Sequence, residues 1–290
     1  MMKTYICVLD ARRVPDSFRE TLAQRGAKRL RTAAVDWLEL TRLPVSYKRN
    51  AGGARRNHRV TLERDPTASI RWPWGIPMSL MVPGVRIPDS KLAREIAELV
   101  RDTESPLLFH HSNRVYYFGA LAGKHRGLNF DPELLYAGAM FHDMGLTPRY
   151  SSAQERFEVD GANAARDFLR SHGIPQTDVE TVWTAIALHT TPGIPQHMHP
   201  VVALVTAGVE MDVLGLTFPE YSDAEREAVV HAHPRGDHFK EDIIQAFYDG
   251  IKPKPETTFG NVKADVLADK DPTFRRGNFC SVIRKSAWAS

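Results

Sequence analysis

The sequence predicts an all-α fold. Three observations carry that expectation: apolar residues recur at i, i+3 and i+4 through most of Ser90 to Gly250, the runs open on capping residues and close on Gly or Pro, and period-2 alternation is confined to Thr4–Leu9. Asp89 or Ser90 caps a first helix through Leu92–Val100, whose Ile96, Leu99 and Val100 share a face. A second helix follows Pro106 and carries His111, Val115, Phe118 and Ala122 on one side. The third opens at Asp131-Pro132, a cap followed by Pro at the first helical position, runs through Leu134, Leu135, Ala139 and His142, and is expected to stop at Gly145. Gly161–Ser171 reads as the fourth, stopped by His172-Gly173, and Asp178–His189 as the fifth, stopped by Pro192-Gly193. The sixth follows Pro200, with Val201, Leu204, Val205, Gly208 and Asp212 on or near one stripe. Two more are expected at Asp223–Ala232 and Asp237–Gly250, and the tail beyond them reads as loop. No internal repeat is present.

With 290 residues, 42% hydrophobic and 25% charged, the chain is large enough for a sizeable core and too apolar for disorder throughout. Cys7 and Cys280 lie far apart, which excludes a disulfide scaffold and a cysteine-based zinc finger and fits a reducing compartment. No apolar run approaches the roughly 20 residues of a membrane span. Residues Met1–Asp10 hold only the apolar patch Tyr5–Leu9, too short for a secretory signal. A soluble protein of the cytoplasm is expected.

The net charge of +3 is unevenly divided. Residues 1–77 hold thirteen Arg and three Lys against seven Asp or Glu, a surplus of nine positive charges, so residues 78–290 carry −6. A basic arm beside an acidic body is one signature of nucleic-acid binding. This arm has no helix-turn-helix pattern, no zinc spacing and no stacked aromatics, so nucleic acid is disfavoured as a partner. Residues 1–77 are expected to be a poorly ordered extension or sequence upstream of the true start codon, and 78–290 to form the domain.

Four polar residues interrupt apolar stripes at equivalent places. His111 shares a face with Val115 and Phe118, His142 and Asp143 end the third helix, and Asp212 ends the most apolar helix of the chain; His189 ends the fifth helix in the same way. An unpaired buried carboxylate costs several kcal/mol and is normally paired, neutralised or bound to metal. Taken singly, each residue reads as a satisfied core histidine or a capping aspartate. Together, two histidines and two carboxylates on facing helices make a good site for Zn2+ or Fe2+. Spacing alone leaves both readings open.

The words around these residues are more specific. His111-Ser112-Asn113-Arg114-Val115-Tyr116-Tyr117-Phe118-Gly119, Phe141-His142-Asp143-Met144-Gly145, Arg156-Phe157-Glu158-Val159-Asp160-Gly161, Ala187-Leu188-His189-Thr190-Thr191-Pro192-Gly193 and Asp212-Val213-Leu214-Gly215 occur in order. They resemble the HD-domain superfamily of metal-dependent hydrolases, in its cyanamide hydratase-like branch, over roughly residues 85–280. The resemblance implies a helical HD fold and one divalent metal held by His111, His142, Asp143 and Asp212, most simply Zn2+, with Fe2+ or Mn2+ as alternatives. His111 is preferred to His110 because it precedes Ser112-x-Arg114-Val115 and because His110 is turned about 100° away. Phe157 stands where dinuclear members commonly place another ligating histidine, which implies a mononuclear site. Leu146 replaces the glutamate of the HDxxE pattern, which weakens a nucleotidase reading. The tail stretches Pro255–Val262 and Phe274–Phe279 also resemble this branch.

A divalent metal lowers the pKa of bound water from about 16 towards about 7 and supplies a nucleophile at neutral pH. His189 is the candidate for proton transfer or substrate positioning, with a hydrogen bond to a metal ligand as the rival role. Glu158 is a second candidate, although an exposed carboxylate at a helix start would look the same. Arg114, Lys124, Arg149 and Arg156 are the nearest phosphate clamps, and Arg114 reads more readily as an ion pair to a neighbouring helix. The expected function is therefore a metal-dependent hydrolase or hydratase acting on a small, uncharged, nitrile- or cyanamide-like molecule. The rivals are an HD-type phosphohydrolase acting on a nucleotide or phosphoester and a non-enzymatic binding or sensor protein stabilised by metal. A homo-oligomer is compatible with either.

Overall fold

The computed structural model describes residues 82, 84–258 and 260–290, and all that follows concerns these. The basic extension 1–77, the Thr4–Leu9 alternation and the expected boundary at residue 78 lie outside the described residues. Ten α-helices are present and no strand: α1 Lys91–Thr103, α2 Pro106–His125, α3 Pro132–Phe141, α4 Phe157–Ser171, α5 Gln176–Ala187, α6 Pro200–Val209, α7 Asp223–Ala232, α8 Phe239–Ile251, α9 Val262–Lys270 and α10 Phe279–Arg284. No helix among them is long and apolar enough to cross a membrane.

Local chemistry sets the helix starts. Ser90 accepts a hydrogen bond from the Ala93 amide (2.9 Å), and Asp131 accepts from Glu133 (2.7 Å) and Leu134 (3.1 Å) ahead of Pro132. These satisfy amides that the first helical turn leaves without partners. At α7, Ser222 and Glu225 exchange side-chain and backbone hydrogen bonds in a capping box.

The core is built around α2, which is buried on every side from His111 to Gly123. Helices α3 and α6 pack on it, and α5 packs on both of these. The approach of α2 and α6 depends on two glycines. A Cβ at Gly208 would run into the Val115 carbonyl, and one at Gly119 would lie 2.6 Å from the Leu204 oxygen. Only hydrogen fits at these positions.

Four boundaries differ from expectation. Helix α3 ends at Phe141, and Gly145 lies in a 3-10 turn, Met144–Leu146, pressed against the Phe157 carbonyl. Gly145 therefore serves close packing and does not cap the helix. Helix α4 starts four residues earlier than Gly161 and takes in Glu158 and Asp160. Helix α5 stops at Ala187 and leaves His189 in the turn beyond it. The tail expected as loop forms α9 and α10, capped by Asn261 and Asn278.

Beyond α6 the chain makes one turn of π-helix, Glu210–Leu214, which ends at Gly215 with φ 63°. A π turn shifts the residues within it around the helix axis, and here it carries Asp212. The turn is held from the C-terminal side, where Trp288 Nε1 donates to the Met211 carbonyl (2.8 Å).

Replacing Gly208 by Ala forces α2 and α6 apart. The expected cost is about 1–3 kcal/mol, the usual range for overpacking. For a domain of this size that is a loss of several degrees in Tm, measured by thermal unfolding.

Candidate metal centre

The structure brings His111, His142 and Asp143 to one buried point. All three are fully buried, and one ligand atom from each lies within 4.8 Å of the others. His111 and His142 face each other through Nε2 at 3.2 Å, and Asp143 Oδ2 lies 3.2 Å from His142 Nε2 and 3.6 Å from His111 Nε2. Helix α2 supplies His111, and the end of α3 supplies the other two.

Outer contacts fix the tautomers. His142 Nδ1 donates to the Ala139 carbonyl (2.7 Å), and His111 Nδ1 donates to Asp212 Oδ2 (2.7 Å). With Nδ1 engaged outward in this way, each ring directs its Nε2 into the cluster. Neither Asp143 oxygen accepts a hydrogen bond. A divalent cation would be held by both Nε2 atoms and this carboxylate at once, so the donor set fits a metal.

His189 stands beside this point. Its Nδ1 donates to the Ile186 carbonyl (2.7 Å), and its buried Nε2 has no hydrogen-bond partner and lies 3.7 Å from Asp143 Oδ1. Burial, then the neighbouring His142, lowers its pKa to about 4, so the ring is neutral at physiological pH. Glu158 is buried at the start of α4, where it accepts from Arg156 (2.6 Å) and from the Thr190 hydroxyl. Burial opposes its charge, but these two donors overcome it and hold the pKa below the ordinary value.

Asp212 does not join the three-residue cluster. It stands behind His111, and its carboxylate is saturated by cations. Arg114 donates from Nε and Nη2 (2.8 and 2.9 Å), and Arg235 donates from Nη1 (2.7 Å). Burial raises the pKa of this carboxylate, yet Arg114 and Arg235 more than compensate and hold it well below the carboxylate range. Arg114 is thus the ion pair the sequence favoured, and it is not available as a phosphate clamp.

Sequence reasoning missed Arg235, Glu104 and His233. Arg235 follows Pro234 in a loop with no periodic signal. Glu104, just past α1, accepts from the Ser112 hydroxyl (3.3 Å), and its other oxygen is buried without a partner. Burial, then the charge of Asp143, pushes its pKa well above the ordinary value. His233 pairs with His110 through their Nδ1 atoms at 3.3 Å, and its carbonyl accepts from Arg114.

Burial, then His110 and Arg114, lowers the pKa of His233 from 6.5 to about 4. The folded state resists a proton that the unfolded chain accepts near its ordinary value. This contribution is therefore whole above pH 6.5 and is lost as the pH falls towards about 4. In urea titrations, the stability advantage of the wild type over His233→Gln should shrink by roughly 2 kcal/mol between pH 7.5 and pH 4.5.

No curated protein matches the chain. Residues 108–223, the stretch that holds His111, His142, Asp143, Glu158, His189 and Asp212, match the model of the HD domain family, and with the helical fold and the buried histidine–aspartate cluster that match supports the HD superfamily.

Proposed function

We propose that the protein is a metal-dependent hydrolase or hydratase of the HD superfamily, acting on an uncharged nitrile- or cyanamide-like group. The observation that carries this reading is the convergence of His111 Nε2, His142 Nε2 and the undonated Asp143 carboxylate at a single buried point. These three residues would hold one divalent cation. Zn2+ suits the mixed imidazole and carboxylate donors, as would Fe2+ or Mn2+. When bound, the cation acidifies a water molecule and polarises the electrophile, the chemistry that hydration and hydrolysis both need.

The surrounding residues take distinct parts. Asp212, expected as a fourth ligand, acts through His111 in this proposal: accepting from Nδ1, it fixes the ring and raises its basicity. His189, with its buried Nε2 unpartnered, would hold the substrate's polar atom or take part in proton transfer in this proposal. Glu158 and Thr190 form a hydrogen-bonded pair that can orient the same group.

The phosphoester reading lacks a free cationic side chain beside the cluster among the described residues. Arg114 is committed to Asp212, Arg156 to Glu158, and Lys124 and Arg149 are exposed. A binding or sensor role predicts instead that metal stabilises the fold while nothing turns over.

Elemental analysis of protein purified without chelator or added metal should find about one equivalent per chain in the wild type and none in a folded His142→Ala variant. No metal in an intact wild type, with no uptake on titration, would sink the proposal. His189→Gln should keep its metal and lose about 100-fold or more in kcat, measured on the best nitrile or cyanamide substrate found.

A further inference from the structure

Next to the metal centre lies a cavity of about 850 Å³ whose wall includes His189, Glu158 and Thr190. Most of the remaining wall is apolar: Val213 and Leu214 from the π turn, Ile244, Phe247 and Ile251 from α8, and Phe279 from α10. A water molecule in the liquid takes about 30 Å³, so a nitrile of three or four heavy atoms would fill only a small part of this space. Cavities of roughly 300–1,000 Å³ are the size that encloses drug-sized ligands.

Charge is scarce on this wall and mostly negative. Glu158 and Glu210 contribute carboxylates, and Lys252, the one lysine or arginine of the lining, is exposed and paired with Asp249 at 2.6 Å. Among the described lining residues no free side-chain cation is available to neutralise an anionic body lying along this wall. An apolar one gains from leaving water across most of its surface.

We infer that the reacting group is carried on an uncharged apolar body, aromatic or branched aliphatic, which fills this cavity while its polar head meets Glu158, Thr190 and His189. The inference rests on the reaction proposed above for the reacting group. The apolar body itself rests on the cavity alone. Lys254 helps shape this wall, since it makes a buried ion pair with Asp160 on α4 (2.6 Å) and anchors the segment that carries Pro255 and Thr258.

Two measurements on the full chain test it. The neutral fluorophore N-phenyl-1-naphthylamine should bind one saturable site, equally well before and after chelator treatment. Ile244→Trp and Leu214→Trp, each checked for folding by circular dichroism, should weaken that binding at least tenfold by filling the cavity. Across a series of nitriles of growing apolar size, kcat/KM should rise about fourfold per added methylene until the cavity is full. Saturable probe binding with no nitrile turned over would support the apolar ligand and remove the reaction class. Turnover flat across the series, with no saturable probe binding, would overturn the apolar body and leave the reaction standing. Probe binding untouched by both folded tryptophan variants would also overturn it.

Discussion

The buried carboxylate of Asp212 is the constraint on which the rest of the site depends. A fully buried charge has to be balanced within its own contact shell, and here two guanidinium groups and one imidazole share that task. The three donors come from α2 and from the loop between α7 and α8, so one carboxylate fixes three parts of the chain to each other. Removing one partner of such an arrangement typically costs about 3–5 kcal/mol, because the other charges remain buried and uncompensated. Phe239 lies under both guanidinium groups, 4.7 Å from Arg114 and 4.0 Å from Arg235, and closes the arrangement against water.

The same pattern recurs one step inward. Each histidine near the centre gives its Nδ1 proton to a fixed acceptor: Asp212 for His111, the Ala139 carbonyl for His142, and the Ile186 carbonyl for His189. Two of these acceptors are main-chain carbonyls three residues upstream, made available because α3 and α5 end just before the histidine. Helix termination and ring orientation are therefore one event.

Much of this was legible in the sequence where the cause is local. Ser90 and Asp131 announced their helices because a capping side chain bonds an amide two or three residues away. His111 was legible because it shares a face with Val115 and Phe118, and His142-Asp143 because it follows an apolar run. What depends on distant packing was not legible. Arg235 meets Asp212 across 23 residues, from a loop that carries no periodic signal. Glu104 reads as a linker residue until the fold buries it. Gly145 looked like a helix stop because the Phe157 backbone that presses on it is invisible in sequence. Helices α9 and α10 were missed for a different reason: Asn261 and Asn278 were present as caps, but Val262, Val266, Leu267 and Phe279 stay exposed, so no buried stripe marked the segments.

Trp288 has a consequence for how the molecule assembles. Its indole rests near Phe118 of the central helix and donates to Met211, so the turn bearing Asp212 is braced by a residue 77 positions further along the chain. Helical proteins usually fold fast because their contacts are short-range. Here the helices can form early, but closing the site has to wait for a loop of that length to return. The turn bearing Asp212 is thus complete only once residue 288 has docked on the central helix.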